Sequence, residues 1–254
     1  LGRSEEAENE LRYLYSATDK QSRAGIITLS HELNLANLQV RLANLSELSA
    51  EEEVFASYPM PQYVIDAQNE QSPALLLAIA RNESSFRDMA ASGAGAVGLM
   101  QMLPSTASSI ERRVGLDALR VASTGNNLGP IAVRLGDPAT SVRYSAKYLG
   151  ILAKEPAVGT NLVRILASYN AGPGTVSGWQ SMAANITDPL LYIESIPYPE
   201  TRNYVMQVLA HSWVYASLLG ENSPMKNVGG LGIEYYLYTA FDTLTFMGSS
   251  TVFG

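Results

Sequence analysis

Residues 72–86 read SPALLLAIARNESSF and predict the central helix of the protein. Ser72 suits the N-cap, because its hydroxyl can accept a hydrogen bond from the first turn, and Pro73 suits the first helical position. The residues that follow are apolar on nearly every side, so a helix that continues to about Phe86 is expected to be buried. Glu83 therefore stands near the end of a helix that otherwise belongs in a core.

The composition indicates a globular protein with a sizeable core. The chain has 254 residues, of which 46% are hydrophobic and 16% are charged, and this balance excludes an intrinsically disordered chain. Its longest apolar run, residues 74–80, is too short for a membrane span, which needs about 20 residues. The sequence therefore predicts no transmembrane segment.

Charge and residue usage exclude several classes of function. Seventeen basic and 24 acidic residues give a net charge of −7, which repels phosphate backbones, so nucleic acid is not an expected partner. The chain has no cysteine, which excludes disulfides and a cysteine nucleophile. Its two histidines, His31 and His211, lie far apart in the chain, and this spacing favours ordinary helix histidines over a metal site.

A proline cluster divides the chain into two parts. Apolar residues recur at three-to-four spacing up to residue 57, which predicts two or three amphipathic helices, with the end of a helical superhelix as one alternative. Residues 58–61, YPMP, interrupt this pattern because proline lacks an N–H and favours extended geometry before it. We place a domain boundary there and expect residues 1–57 to be dispensable for chemistry. The chain begins LGRSEE, and we expect a processed or excised piece of a longer precursor.

The second part, residues 58–221, is expected to be mainly α with a small irregular β insertion. Residues 89–102 are small and glycine-rich, which favours loops or irregular β structure. Residues 222–254 fit helix and strand patterns equally well, and a tail packed on the domain surface is the expectation. Further helices are predicted from Pro104, from Asp137-Pro138 to about Lys154, over 161–169 and over 200–219, with a turn at 171–174.

Glu83 is the residue whose placement points to chemistry. A carboxylate beside an apolar core is costly, because desolvation penalises the charged form and raises the pKa. A raised pKa is what a general acid needs near neutral pH. The alternative is an exposed ion pair with Arg87, four residues on, which would stabilise the helix only slightly. The residues alone leave both interpretations open.

Three blocks of the sequence resemble the catalytic signature of the bacterial soluble lytic transglycosylases, lysozyme-like enzymes that cleave peptidoglycan. The first block is ESSF at 83–86 with ASGAGAVGLMQMLPSTA at 91–107, the second is ILASYNAGPGTVSGW at 165–179, and the third is YIESIPYPETRNYV at 192–205. The blocks occur in the family's order. The resemblance implies a lysozyme-like domain, preceded by helices similar in kind to the superhelix of larger members.

The resemblance also implies the site residues. Glu83 stands at the position of the family's sole catalytic acid/base. Leu103 stands where the family often has a methionine that faces the sugar, and residues 140–145 replace the usual asparagine and glycine after Asp137-Pro138. The positions that line the saccharide cleft in the family are Ser92, Gln101, Tyr169, Asn170 and Glu194.

Each of these positions also has a structural alternative. Tyr169, beside a Gly-Pro-Gly turn, would present its ring and hydroxyl to a sugar or be an ordinary helix tyrosine. A buried Gln101 amide needs partners, which either a structural network or a ligand would supply. Asn170 would bind the ligand or hold the turn, and Glu194 would line the cleft or remain a surface acid.

The implied activity is that of a lytic transglycosylase acting on peptidoglycan glycan strands. Most glycosidases need two carboxylates, whereas here Glu83 alone would protonate the glycosidic oxygen and then accept a proton from the C6 hydroxyl of muramic acid. No metal or organic cofactor is implied, no protein partner is predicted, and the implied location is the bacterial periplasm or cell envelope. The alternatives are a muramidase, which would need a second acid in the glycine-rich insertion, and a non-catalytic peptidoglycan-binding module.

Overall fold

The computed structural model describes residues 2–65, 71–115, 130–180, 186 and 188–221, and within these ranges the chain is mainly α-helical. The predicted tail, residues 222–254, lies outside the described residues. No described helix combines the length and apolar character that crossing a bilayer requires. The helices are α1 Gly2–Ala17, α2 Lys20–Glu32, α3 Ala36–Ala43, α4 Ala50–Ser57, α5 Gln62–Ile65, α6 Pro73–Ser84, α7 Pro104–Val114, α8 Ile131–Leu135, α9 Pro138–Leu152, α10 Leu162–Ala171, α11 Pro173–Gln180, α12 Pro189–Glu194 and α13 Pro199–Leu219.

Helix α6 is the predicted central helix, and its start is confirmed. The Ser72 hydroxyl accepts a hydrogen bond from the N–H of Leu75, and Pro73 is the first helical residue. All residues from 74 to 80 are buried, and α6 packs chiefly against the long helix α13. The helix ends two residues before Phe86, because Ser85 and Phe86 both adopt left-handed backbone angles, with φ of 50° and 63°.

One large apolar cluster joins α6, α9, α10 and α13. It also includes Ala36 and Val40 of α3, so a helix from the first part of the chain contributes to the core of the second. A separate cluster lies within residues 1–57 and is formed by residues such as Leu11, Ile27 and Leu38. The core therefore extends across the proline cluster at 58–61.

Residues 2–57, the described portion of the first part, form four helices where two or three were predicted. Two local breaks account for the difference. Asn34 takes a left-handed φ of 58° between α2 and α3. Ser49 and Glu52 then form a capping box at the start of α4, in which the Ser49 hydroxyl accepts from Glu52 N–H and the Glu52 carboxylate accepts from Ser49 N–H.

The later helices begin where the sequence predicts. The Asp137 carboxylate accepts from the N–H of Thr140 at 2.8 Å at the start of α9, and the Asn161 side chain accepts from the N–H of Arg164 at the start of α10. Helix α10 continues past residue 169 to Ala171, and Gly172, with φ of 86°, separates it from α11. The predicted turn is therefore a single glycine between two helices.

The predicted β insertion is confirmed as a small irregular element. Isolated bridges join Ala91 to Val97 and Val97 to Met102. Gly98, with φ of 82°, approaches the carbonyl of Leu135 so closely that a Cβ atom at this position would lie 2.0 Å from that oxygen. Only glycine fits there, and this contact brings the insertion against α8.

A polar cluster joins the proline cluster to α6 and α13. The Arg81 guanidinium donates to the Ser57 carbonyl and lies 4.5 Å from the centroid of the Tyr58 ring. Tyr58 Oη lies 3.1 Å from Nδ1 of His211, and Tyr215 Oη donates to the carbonyl of Pro59 at 3.1 Å. Nδ1 of neutral His211 can accept a hydrogen bond from the Tyr58 hydroxyl, and protonation of His211 at Nδ1 would remove this hydrogen bond.

We predict that His211 makes the protein sensitive to acid. Burial first, and then the positive charge of Arg81, lowers the pKa of His211 from 6.5 to about 3. Between pH 6.5 and pH 3, His211 is protonated in the unfolded chain but stays neutral in the folded chain. The free energy of unfolding therefore falls by on the order of 1 kcal/mol per pH unit as the pH is lowered through this range. His211→Gln should flatten this dependence in urea unfolding measured at pH 7 and pH 4.5.

His31→Gln is the matched control. His31 contacts the Phe55 ring at a centroid distance of 4.8 Å and is not part of the polar cluster that contains His211. It should keep the acid sensitivity of the original protein. An equal loss of stability between pH 7 and 4.5 in the original protein and in His211→Gln would contradict the prediction.

A pair of glycine substitutions tests the packing of the insertion. Gly98→Ala should lower the free energy of unfolding by about 2 kcal/mol or more, because the new methyl group meets the Leu135 carbonyl and the left-handed φ is strained. Gly95→Ala has the same type of φ, 83°, but no atom of the described residues within 4 Å of its Cβ, so it should cost only about 1 kcal/mol. Equal losses in chemical denaturation would show that the Leu135 contact has no effect.

Candidate active site

Glu83 lies in the last turn of α6 and is half-buried. Burial raises the pKa of its carboxyl to about 7, the Tyr204 hydroxyl acts in the opposite direction as a hydrogen-bond donor, and the negative charge of Glu200 raises the pKa further. The carboxyl is therefore poised between its neutral and charged forms near neutral pH. The predicted desolvation of Glu83 is confirmed.

The alternative ion pair between Glu83 and Arg87 is not formed. Among the described residues no ion pair joins the two side chains, and Arg87 Nε instead donates to the carbonyl of Ser84 at 3.2 Å. The Arg87 backbone N–H donates to the Ser84 hydroxyl at 3.1 Å. Arg87 therefore closes the end of α6 and leaves the Glu83 carboxyl without a cationic partner there.

Two tyrosines flank the Glu83 carboxyl. The rings of Tyr169 and Tyr204 are parallel within 5°, with centroids 6.5 Å apart. Burial and the nearby charge of Glu83 raise the pKa of both phenols, so both stay protonated. Among the described residues, the buried Tyr204 hydroxyl has no hydrogen-bond partner at standard geometry, yet it is near enough to Glu83 to favour the carboxylate.

The Tyr169 hydroxyl is held by protein groups. It donates to the carbonyl of Met100 at 2.9 Å, and Ser145 Oγ lies 2.7 Å from it. Since the Tyr169 hydroxyl uses its proton in the bond to the Met100 carbonyl, the Ser145 hydroxyl donates to the Tyr169 oxygen. Tyr169 thus connects α10, α9 and the insertion beside Glu83, and its role toward a sugar stays a prediction.

Serines hold the insertion against the end of α6 and against α9. Ser84 Oγ donates to the carbonyl of Leu99 at 2.8 Å, and Ser141 Oγ accepts from the N–H of Met100 at 3.2 Å. Ser84 directly follows Glu83, so this bond links the catalytic candidate to the insertion. Ser141 and Ser145 belong to the segment 140–145 that departs from the family pattern, and both make structural contacts.

Gln101 takes part in a structural network within the insertion. Its Nε2 donates to the carbonyls of Ala90 at 3.2 Å and Gly98 at 3.0 Å, and its own φ is 45°. Both bonds use the amide nitrogen. The structural alternative predicted for Gln101 is thus present, and a contact of its amide oxygen with a ligand stays a prediction.

Ser92 and Leu103 lie at the two ends of the insertion, and both are exposed. Ser92 Oγ accepts from the N–H of Ala96 at 3.0 Å and shapes the glycine-rich turn. Leu103 precedes α7 and exposes 40% of its surface. Both positions are accessible to a ligand.

Asn170 and Glu194 are also exposed and lie near α13. Asn170 Oδ1 accepts a hydrogen bond from the Thr201 hydroxyl at 2.7 Å, which links the end of α10 to the first turn of α13. Glu194 ends α12 and forms an ion pair with Arg202 at 3.4 Å. Neither is among the groups that shift the pKa of Glu83.

The sequence prediction missed Glu200 and Tyr204, the two residues of α13 whose side chains influence Glu83. They are four residues apart in a helix that begins at Pro199, so both project from one face. This spacing is visible in the third block, YIESIPYPETRNYV. The sequence could not show that this face of α13 meets the end of α6.

The described residues suggest no metal centre, since no three His, Asp or Glu side chains converge within the described ranges. The arrangement consists of one carboxyl that can gain and lose a proton and two phenols that stay protonated. Chemically, it can donate a proton and then take one back.

Comparison with known proteins identifies the family. The transglycosylase SLT domain matches residues 63–188, and the soluble lytic transglycosylase helical domain matches residues 195–224, over α13. The soluble lytic murein transglycosylase of Escherichia coli K12 is 33% identical over 159 residues, which cover 63% of this chain and 23% of that protein. The chain thus spans about a quarter of the length of this relative.

Solved structures agree in fold. The crystal structure of the 70 kDa soluble lytic transglycosylase of E. coli matches 85% of this chain and 33% of its own, with a TM-score of 0.68 and 27% identity. That of an inactive glutamate-to-glutamine mutant of lytic transglycosylase Slt from Pseudomonas aeruginosa matches 87% of this chain and 34% of its own, with a TM-score of 0.63 and 27% identity. Its lysozyme-like fold and its SLT domain place the chain in the soluble lytic transglycosylase family.

Proposed function

We propose that the chain cleaves the β-1,4 bond between N-acetylmuramic acid and N-acetylglucosamine in peptidoglycan, without water, and leaves 1,6-anhydromuramyl ends. The observation that carries this proposal is the environment of Glu83, a half-buried carboxyl whose pKa is about 7 beside two protonated tyrosines. The inactive glutamate-to-glutamine mutant of the P. aeruginosa relative supports an essential glutamate in this family.

In the first step, neutral Glu83 donates its proton to the glycosidic oxygen as the bond from C1 of the muramic acid breaks. The leaving glucosamine takes this proton as its new hydroxyl hydrogen. Positive charge develops at C1, where the acetamido group of the substrate can stabilise it. A pKa of about 7 keeps enough of the acid form at neutral pH for this step.

In the second step, the Glu83 carboxylate removes the proton of the C6 hydroxyl, and the C6 oxygen forms the new bond to C1. The proton returns Glu83 to its starting form, and no water is consumed. The Tyr204 hydroxyl favours the carboxylate formed between the two steps, since it lowers the pKa of Glu83. One carboxyl thus suffices for both steps.

We propose that the exposed candidates bind the glycan and that the half-buried ones hold the site. Leu103 offers an apolar surface to a sugar ring, and Ser92, Asn170 and Glu194 offer polar groups. Tyr169 and Gln101 keep the insertion in place beside Glu83 through their hydrogen bonds. The relatives named soluble lytic murein transglycosylases support peptidoglycan as substrate, and we place the protein in the bacterial periplasm or cell envelope.

A muramidase on the same fold is the second candidate, and one observation indicates which residue would be its second carboxylate. The negative charge of Glu200 reaches Glu83, whereas Glu194 is paired with Arg202. A hydrolytic site would therefore use Glu200 as the base that activates water. A non-catalytic binding module has no need of a desolvated carboxyl, and the position of Glu83 disfavours it.

We predict that Glu83→Gln abolishes nearly all release of anhydro muropeptides from sacculi, measured by mass spectrometry. The amide keeps the shape of the neutral acid but cannot transfer the proton. The variant should be as stable as the original protein at pH 8 or slightly more so. In the original protein the raised pKa of Glu83 makes the folded state lose stability as pH rises from 4.5 to about 7, and the neutral amide does not have this effect. Activity of a tenth or more would place the acid elsewhere.

Glu194→Gln and Glu200→Gln are the matched controls for this experiment. Both should lower turnover only in part, and every product should still carry the anhydro ring, which is lighter than a reducing end by one water. If reducing ends are the main product of the original protein and disappear in Glu200→Gln, the enzyme is a muramidase.

The pH dependence of the reaction should follow the pKa of Glu83. We expect kcat/KM to fall about tenfold per pH unit above pH 7, where the acid form is lost. Glu200→Gln removes a charge that raises this pKa, so the alkaline limb should move to lower pH. Tyr204→Phe removes a donor that lowers the pKa, so the limb should move to higher pH. Shifts in the same direction would contradict this account of the site.

A further inference from the structure

A hydrogen bond joins the first part of the chain to the end of the helix that carries Glu83. Asn37 of α3 donates from Nδ2 to the carbonyl oxygen of Ser85 at 2.7 Å, across 48 positions of sequence. Asn37 is half-buried, and its neighbours Ala36 and Val40 pack into the same apolar cluster as α6. The donor is therefore held in place by a packed helix.

The accepting carbonyl belongs to a strained turn. Ser85 and Phe86 both have left-handed backbone angles, which residues with a side chain rarely adopt in succession. The turn is closed on the helix side by the N–H of Ser85, which donates to Arg81 O at 2.9 Å, and it directs the Phe86 ring into the core, where it is 2% exposed. Such a turn persists only where surrounding contacts hold it.

We propose that Asn37 is a positioning residue for Glu83: its hydrogen bond to the Ser85 carbonyl holds the left-handed turn that ends α6 and so fixes the last helical turn, where Glu83 lies. This inference rests on the proposed function of Glu83. It assigns residues before the proline cluster a part in the chemistry, although Asn37 touches no substrate.

The other contacts of this turn explain why Asn37 matters. The Ser84 hydroxyl donates to the carbonyl of Leu99 in the insertion, and Arg87 Nε donates to the carbonyl of Ser84. These bonds act on the residue before the turn and the residue after it. Within the turn itself, the Ser85 carbonyl accepts its hydrogen bond from Asn37 of α3.

Loss of the Asn37 donor should act on kcat rather than on KM. Freed from Asn37, the turn can relax toward ordinary backbone angles, and the Glu83 carboxyl then shifts against the substrate and gains water. A displacement of about 1 Å at a reacting group can lower a rate by about 100-fold. Easier access of water would also lower the pKa of Glu83 toward its usual value of 4.5.

The test compares Asn37→Ala and Asn37→Asp with Asn44→Ala. Asn37→Asp keeps the shape but replaces the donor by an acceptor, and Asn44 is an exposed residue at the end of the same helix. Both Asn37 variants should lower kcat roughly tenfold or more, with KM within about twofold, while Asn44→Ala matches the original protein. Glu83 should titrate at lower pH in Asn37→Ala, followed by NMR of the labelled carboxyl in the full chain.

The two readouts separate the possible failures. If Glu83 titrates in Asn37→Ala as it does in the original protein, the inference is wrong, whatever happens to the melting temperature. If the titration shifts but the original protein makes no anhydro ends, the positioning role stands and the proposed function fails. An equal decrease of kcat in Asn44→Ala would also overturn the inference, since it would report general damage to α3.

Discussion

The structure depends on the desolvation of one carboxyl at the end of a buried helix. Residues 74–80 of α6 are buried on all sides, so Glu83 leaves the core in the last turn with no room for a full hydration shell. Desolvation favours its neutral form. Helix α13, the insertion and α3 meet at this helix end, and each contributes a group that either adjusts the pKa of Glu83 or bonds the turn that follows it.

The position of Glu83 is fixed by backbone strain that distant elements support. Left-handed angles at Ser85 and Phe86 cost roughly 1 to 2 kcal/mol each. The contacts that hold them come from the insertion through Ser84, from the core through Phe86 and from α3 through Asn37. A turn that is held from three sides cannot relax when a ligand binds, which is the preorganisation that proton transfer requires.

The sequence predicted the features that depend on neighbouring residues. Ser72-Pro73 and Asp137-Pro138 start helices because the capping group and the proline lie beside the groups that they satisfy. The burial of α6 and the raised pKa of Glu83 followed from its apolar pattern. The end of α6, the Tyr169 hydroxyl and the Asn37 contact depend on partners up to 69 positions away. No local pattern identifies such partners, so these features needed the structure.

A single residue that serves first as acid and then as base must exist in both forms at the working pH. Burial and Glu200 raise the pKa of Glu83, and Tyr204 lowers it. If burial acted alone, the neutral form would persist and the second proton transfer would lack a base. If the Tyr204 donor dominated, the first transfer would lack an acid. The balance near pH 7 permits both steps, which makes Glu200 and Tyr204, one helical turn apart on α13, as important to a one-carboxyl mechanism as the apolar pocket itself.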